Sequence, residues 1–217
     1  MKLYLCGIKS YQLDLGLKCT AFGDLRLEQT LAGIKRDYNE PQQRQRTPLT
    51  QPYLLRILDA IDNTSYNSIM TCAAFTLAFA SFLRVGEFTY RRIDLDLGAT
   101  FRNWFLTQSS ISQSDDGTHM TRTLHASKTD PFRHGIQLVI PSSTDSGYPV
   151  AAMRQLIRID SPRAPFAPLF CLGKQDILPF TREYVVQKLQ SLVVRCGLGG
   201  EAWNGHSFRR GAATWVA

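Results

Sequence analysis

The sequence predicts a mainly α-helical fold with one small antiparallel β-sheet, an α+β architecture. Apolar residues recur at helical spacing along most of the 217 residues, and between positions 101 and 140 the pattern changes to short extended runs. Hydrophobic residues make up 44% of the chain, which excludes a disordered protein because a full core can be buried. The net charge of +7 is compatible with an anionic partner such as nucleic acid or lipid.

The first 36 residues predict two helices, with Gly16 and Gly23 marking the break between them. Two helices alone make a thin core. A polar stretch follows that has no apolar periodicity and a proline at each end, which is typical of a linker. We therefore expect a helical piece at 1–40, a linker at 41–50 and the main domain at 51–217.

The main domain opens with a strong helix start, since Thr50 is a favourable N-cap and Pro52 falls in the first turn. The apolar run at 69–83 predicts a second, buried helix. This run is rich in Ala, Thr and Ser and is shorter than the roughly 20 residues of a membrane span, so we expect no membrane partner.

The sheet is predicted from three extended runs, F-R-N-W-F-L, T-R-T-L-H-A-S and G-I-Q-L-V-I. Asp115, Asp116 and Gly117 supply turn residues before the second run, and Asp130 with Pro131 supplies them before the third. The order and spacing indicate about three antiparallel strands.

Helical spacing returns after the sheet, in Y-P-V-A-A-M-R-Q-L-I-R-I and in T-R-E-Y-V-V-Q-K-L-Q-S-L-V-V-R-C-G-L. Gly197 is a suitable C-cap for the second of these helices. A last helix begins in H-S-F-R-R.

Metal, disulfide and nucleotide chemistry find no support in the sequence. The five cysteines are odd in number, far apart and never in a C-x-x-C pair, which indicates an intracellular, reducing compartment. The four histidines lack carboxylate or cysteine partners at metal-ligand spacing. No phosphate-loop, dinucleotide or serine-hydrolase motif occurs, so we expect no metal and no cofactor.

Arg84 is the first candidate functional residue. It follows the apolar helix directly, so its guanidinium is expected at the rim of the core, and Glu87 three residues later can pair with it. From these two residues alone, a structural ion pair at a helix end is the favoured alternative.

Lys128 is the second candidate, near the tip of the predicted hairpin, where a long flexible cation can reach a neighbouring groove. The alternative is an ordinary solvated loop lysine.

The third candidate is the stretch G-H-S-F-R-R-G-A-A-T near the end of the sequence. Arg209 and Arg210 fall in the first turn of a helix, where the helix dipole disfavours cations unless an anion is bound there. His206 and Arg209 are three residues apart and can face one point. The alternative is a capping Ser207 with two surface arginines.

Taken in order, L-R-V-G-E, S-K-T-D and H-S-F-R-R-G-A-A-T resemble the motifs of the tyrosine recombinase/phage integrase superfamily. With G-I-K-R and R-x-P-L-T added, the chain is most similar to the integrase-like recombinases of eukaryotic, fungal-type mobile elements. The resemblance covers nearly the whole chain. It implies a recombinase catalytic-core fold at 51–217, and a remnant of the helical, SAM-like core-binding domain at 1–40.

The resemblance also implies roles for individual residues. Arg84 matches the first catalytic arginine, Glu87 the acidic residue that steadies it, and Lys128 the general acid. His206 and Arg209 match the pair that grips the scissile phosphate. Contacts to the DNA backbone are implied for Lys35, Arg36, Arg44, Arg46 and Arg210. The expected partner is double-stranded DNA without metal or ATP, with self-association on the DNA possible, in the nucleus.

The chain departs from the family at the nucleophile. In the family a tyrosine that follows the H-x-x-R helix attacks the phosphorus, whereas here eight residues follow Arg209 and none is tyrosine. Tyr53, Tyr90 and Tyr184 all precede the motif, so we assign no nucleophile.

We interpret the chain as a truncated or degenerate copy with a C-terminally incomplete catalytic core. It is expected to bind DNA and to be cleavage-incompetent as it stands, which leaves enzyme activity undecided. Two alternatives stay open. One is a non-enzymatic DNA-binding or interaction module derived from a mobile element, and the other is a chance likeness.

Overall fold

A computed structural model of the protein describes residues 2–37, 47–124, 135–143, 147–160, 163–174, 178–199 and 203–216. The chain divides into two compact units, Met1–Gln45 and Arg46–Ala217. None of the helices in these described ranges has both the length and the apolar composition of a membrane span.

The first unit contains two helices, as predicted. They are α1 (Lys2–Asp14) and α2 (Leu25–Asp37), with a 3₁₀-helix at Thr20–Gly23 between them. Gly16 ends α1 with φ of 69°, and the next amide, of Leu17, donates to the Gln12 carbonyl at 2.9 Å. No described side chain of this unit is fully buried, which agrees with the thin core expected of two helices.

The second unit is built around one buried helix. Its helices are α3 (Gln51–Asp59), α4 (Tyr66–Ala80), α5 (Val85–Phe88), α6 (Pro149–Ile159), α7 (Arg182–Arg195) and α8 (Ser207–Val216). Ten of the fifteen residues of α4 are buried, and α6 and α8 pack against it. Such all-round burial is expected of a helix that is apolar on every face.

The start and end signals in the sequence lie where predicted. Thr50 is the N-cap residue of α3, although its side chain makes no capping hydrogen bond. Gly197 follows α7 with φ of 67°, and the Leu198 amide donates to the Val193 carbonyl at 2.9 Å. This left-handed glycine satisfies the last carbonyls of the helix, so the predicted C-cap is confirmed.

The sheet has three antiparallel strands in the order β1 (Ile111–Gln113), β2 (His119–Leu124) and β3 (Ile136–Pro141). The turn between β1 and β2 contains Gly117, with φ of 70°, and the Arg154 guanidinium of α6 donates to its carbonyl. A separate two-stranded pair, β4 (Cys171–Leu172) and β5 (Leu178–Pro179), was not predicted from the sequence.

The first predicted strand, F-R-N-W-F-L at 101–106, is wrong. A 3₁₀-helix at Arg92–Asn103 runs into this segment, and the Phe105 amide donates to the Phe101 carbonyl at 3.1 Å. The two rings lie 4.7 Å apart, and Tyr90 packs edge-on against Phe101 at 5.3 Å. In a strand these rings would stand about 13 Å apart. Aromatic packing therefore selects the helical turn, and the third strand comes from Ile111–Gln113 instead.

Candidate phosphate-binding site

Arg84 lies at a sharp turn between α4 and α5. The Leu83 amide donates to the Ala78 carbonyl at 2.9 Å, and the Phe82 amide donates to the Phe79 carbonyl at 3.1 Å. This is the hydrogen-bond pattern that glycine usually completes, but here Phe82 takes the left-handed position with φ of 54°. The turn ends α4 and places Arg84 immediately before α5.

Glu87 holds Arg84 at two points. Its Oε2 accepts from the Arg84 backbone N–H at 2.8 Å, and its Oε1 accepts from Nη1 at 2.9 Å. The Glu87 side chain is only 12% exposed, and the Arg84 side chain is 26% exposed. A charge-assisted bond sheltered in this way fixes the guanidinium better than a surface ion pair does. The expected pair is formed, and a role for it in holding phosphate stays a prediction.

The first turn of α8 is tied to the residues before it. Asn204 Oδ1 accepts from the His206 amide at 2.9 Å, and Ser207 Oγ accepts from the Asn204 amide at 3.1 Å. Ser207 is fully buried, whereas His206, Arg209 and Arg210 are exposed. The arginines therefore project from a rigid helix start, as the sequence predicts.

Close packing brings this helix start next to α5. A Cβ on Gly205 would lie 3.0 Å from the Val85 Cβ, so only a glycine fits without a shift. Phe208 is fully buried, and its ring lies 5.0 Å from Phe75 and 6.3 Å from Phe88. Val85 follows Arg84 directly. These contacts pack α5, which begins directly after Arg84, against the start of α8.

Several predicted site residues fall outside the part of the chain that the structure describes. Lys128 is in the segment that connects β2 to β3, and Arg44 and Arg46 precede the second unit's described residues. The Lys35 side chain is also not described, while Arg36 is exposed on α2. Their predicted contacts with DNA stay predictions.

Arg122 is a residue that the sequence analysis missed. It lies on β2 between Met120 and Leu124, faces the core with them and is only 4% exposed. Its Nη2 donates to the Ser81 carbonyl at 3.4 Å, but its Nε and Nη1 find no partner among the described residues. Burial lowers the pKa of this guanidinium, and the negative charge of Glu87 partly offsets that effect.

A signal for Arg122 was present in the alternation of H-M-T-R-T-L. Period-two spacing puts Arg122 on the same face as Met120 and Leu124, so an arginine occupies an apolar position. Buried arginines are rare unless they are paired, which makes such a position informative.

Three tyrosines of the second unit are buried or have a hydrogen-bonded hydroxyl group. Tyr90 is 3% exposed, and burial raises the pKa of its hydroxyl well above the usual value. The Tyr184 hydroxyl lies 3.1 Å from Thr71 Oγ1, and the Tyr66 hydroxyl donates to Asp160 at 3.1 Å. A hydroxyl with a raised pKa is a poor nucleophile at neutral pH.

Metal-ligating side chains do not converge anywhere in the described ranges. No group of three or more His, Cys, Asp or Glu residues there is arranged to hold an ion. A metal-free site stays a prediction.

Comparison with solved structures identifies the fold. The site-specific recombinase XerH bound to difH substrate, as a pre-cleavage complex, aligns with a TM-score of 0.53 at 12% identity, over 82% of this chain and 45% of that chain. A post-cleavage XerH complex with palindromic difH gives 0.53 at 12% identity, over 78% and 42%. The chain has the catalytic-core fold of tyrosine recombinases.

The remaining comparisons with a solved structure, with protein-family models and with curated proteins do not add to the fold assignment. A lambda integrase dimer bound to a COC′ core site gives a TM-score of 0.48 at 16% identity, over 79% of this chain and 41% of that chain, and the fold assignment does not rest on it. No protein-family model and no curated protein matches the sequence. The chain spans less than half the length of the XerH chains it matches.

Proposed function

We propose that this protein binds duplex DNA by gripping a backbone phosphate between Arg84 and the first turn of α8. The observation that carries the proposal is the packing of Gly205, which precedes His206, on Val85, which follows Arg84, in a chain with a recombinase fold. Lys128 completes the proposed set from the segment between β2 and β3.

The chemistry of a phosphodiester suits these groups. Its non-bridging oxygens are acceptors only, so guanidinium forks and the backbone N–H groups at a helix start bind them directly. Arg84 is held in place by Glu87, and Arg209 extends from a helix whose start is fixed by buried Ser207 and Phe208. Fixed donors lose little side-chain entropy when the phosphate binds.

The test measures affinity for a labelled duplex at several salt concentrations, using fluorescence anisotropy. Arg209→Ala should weaken binding at least about tenfold and reduce the slope of log affinity against log salt by about 1, because one phosphate contact is lost. Arg209 is a cleaner choice than Arg84, whose removal also leaves the largely buried Glu87 carboxylate without its cation.

The matched control is Arg195→Ala, which removes one exposed arginine from the last turn of α7. It should leave both affinity and slope unchanged. Equal losses of affinity in the two variants would mean that DNA is bound by general surface charge, which would contradict the proposal.

We propose further that the 217-residue chain binds DNA without cutting it. The support is chemical, since burial raises the pKa of the Tyr90 hydroxyl and the Tyr66 hydroxyl is bound to Asp160, which makes both poor nucleophiles. Incubation with a nicked suicide duplex should yield no covalent adduct on a denaturing gel. A covalent adduct would refute this part of the proposal and its tyrosine, located by peptide mapping, would identify the nucleophile.

The origin and the cellular location are also proposals. The motifs G-I-K-R, S-K-T-D-P-F-R-H-G and G-H-S-F-R-R-G-A-A-T-W support descent from a eukaryotic mobile element, and a DNA partner there supports a nuclear location. Imaging of a fluorescently tagged chain in a eukaryotic cell tests the location, and exclusion from the nucleus would contradict it.

A further inference from the structure

Arg122 is a buried cation, and two of its three nitrogens find no acceptor in the part of the chain that the structure describes. Its Nη2 donates to the Ser81 carbonyl at 3.4 Å, just before the turn that leads to Arg84, and the negative charge of Glu87 acts on its guanidinium. The chain between Leu106 and Ile111 also connects the segment around Glu87 to the strand that contains Arg122. The Leu106 amide donates to the Glu87 carbonyl at 3.3 Å, and Ile111, five residues later, pairs with Arg122 across the sheet.

The same unit contains a second buried arginine, and that one is fully paired. The Arg163 side chain is 9% exposed, and its Nε and Nη2 donate to Asp160. Its Nη1 donates to the Pro168 carbonyl at 2.9 Å and to Cys171 Sγ at 3.0 Å, and Nη2 donates to the Leu169 carbonyl at 3.2 Å. All the guanidinium nitrogens of this arginine are thus paired, whereas Nε and Nη1 of Arg122 have no partner within the described ranges.

The charges around Arg84 explain what an unsatisfied cation can do here. Arg84 and Glu87 form a pair with no net charge, so at a distance Glu87 cancels the attraction of Arg84 for a phosphate. A second cation near Glu87 restores a net positive charge to the cluster. Because that cation is buried, solvent screens it less than it screens a surface lysine.

We propose that Arg122 is a positioning residue that offsets Glu87, so that Glu87 orients Arg84 without neutralising it toward the DNA phosphate. The inference rests on the proposed function and adds a residue to it. Arg122 does not touch the DNA. It lowers the stability of the free protein, since Nε and Nη1 meet no acceptor among the described residues, and it strengthens the field at the site when phosphate binds.

Because Arg122 is proposed to lower stability and to strengthen DNA binding, the test measures both quantities on the full chain. Arg122→Met keeps the length of the side chain and removes its charge. We expect a higher urea midpoint, about tenfold weaker binding of a labelled duplex and an unchanged salt slope, because no phosphate contact is lost. Arg122→Lys keeps the charge and should bind within about threefold of the wild type.

Arg163→Met is the matched control for stability. It removes a paired buried arginine and leaves the Asp160 carboxylate without its cation, so the urea midpoint should fall, opposite in sign to Arg122→Met. A lower midpoint or a failure to fold in Arg122→Met would make Arg122 structural and overturn the inference. Unchanged DNA affinity in Arg122→Met would overturn it as well.

The failure of the inference differs from the failure of the proposed function. If Arg209→Ala weakens binding and Arg122→Met does not, the phosphate site stands and Arg122 has no part in it. If the wild type and Arg209→Ala bind equally, the proposed function fails, and the inference fails with it.

Discussion

Gly211 shows at the scale of one residue how closely α8 approaches the rest of the second unit. A Cβ at this position would lie 1.7 Å from the Leu49 carbonyl oxygen, and the Leu49 amide donates to the Ser207 carbonyl at 2.9 Å. The obstacle is backbone, which cannot swing aside as a side chain can. The glycine after the two arginines is therefore required by packing, whatever the arginines bind.

Gly211→Ala should lower the free energy of unfolding by about 3 kcal/mol or more, because backbone must shift to admit the methyl group. Urea denaturation followed by circular dichroism measures the change. Gly86→Ala is the control, since a Cβ at that exposed position meets nothing within 4 Å, and it should raise stability by about 0.5 kcal/mol. Equal effects at the two positions would contradict the packing argument.

Individual site residues differ in how far the sequence could predict them. The pairing of Arg84 with Glu87 follows from a three-residue spacing, so local sequence was sufficient. To find Arg122, the alternation of apolar residues in β2 had to be noticed together with the charge at one apolar position. Its position relative to Glu87 depends on a contact between segments that are distant in sequence. Spacing along the chain contains no information on that contact.

The turn between α4 and α5 is the element that places Arg84, and it contains a strained residue. Phe82 takes the left-handed conformation with φ of 54°, a position where a side chain costs about 1–2 kcal/mol. Packing of its ring against the core compensates for part of that cost. The local sequence S-F-L-R contains no glycine, so tertiary packing fixes this turn.

Replacing Phe82 by glycine and by alanine separates the backbone cost from the packing. Both variants lose the ring, but only alanine keeps the conformational penalty, so Phe82→Gly should be more stable than Phe82→Ala by about 1 kcal/mol. In a regular helix the order is reversed by about the same amount. Thermal and urea unfolding of the pair measure the sign, and a more stable alanine variant would contradict a left-handed Phe82.

Some of the other elements are determined by local sequence signals, and others are determined by tertiary packing. Gly16 and Gly197 ended their helices as predicted, because a left-handed glycine satisfies carbonyls only a few residues away. The segment at 101–106 was mistaken for a strand because its apolar residues fit either period. The stack of Phe101 on Phe105 against Tyr90 decided between them, and Tyr90 is eleven residues from Phe101.

At the scale of the whole molecule, the charge of +7 is shared by two units with separate proposed contacts. The proposed phosphate site, with Arg84 and Arg209, belongs to the second unit. Lys35 and Arg36 belong to the first unit, at the end of α2. If both units contact one duplex, their contributions come from different phosphates and should add.

The double variant Lys35→Ala/Arg36→Ala should weaken DNA binding about tenfold and reduce the salt slope by about 2, because two phosphate contacts are lost. Combined with Arg209→Ala, the losses in binding free energy should add within about 0.5 kcal/mol. Lys18→Ala/Arg26→Ala is the matched control, since it removes the same charge from exposed positions of the same unit. Equal losses of affinity in the two double variants would mean that the first unit attracts DNA by its overall charge. A loss of affinity confined to the Lys35→Ala/Arg36→Ala variant would mean that the duplex contacts the end of α2.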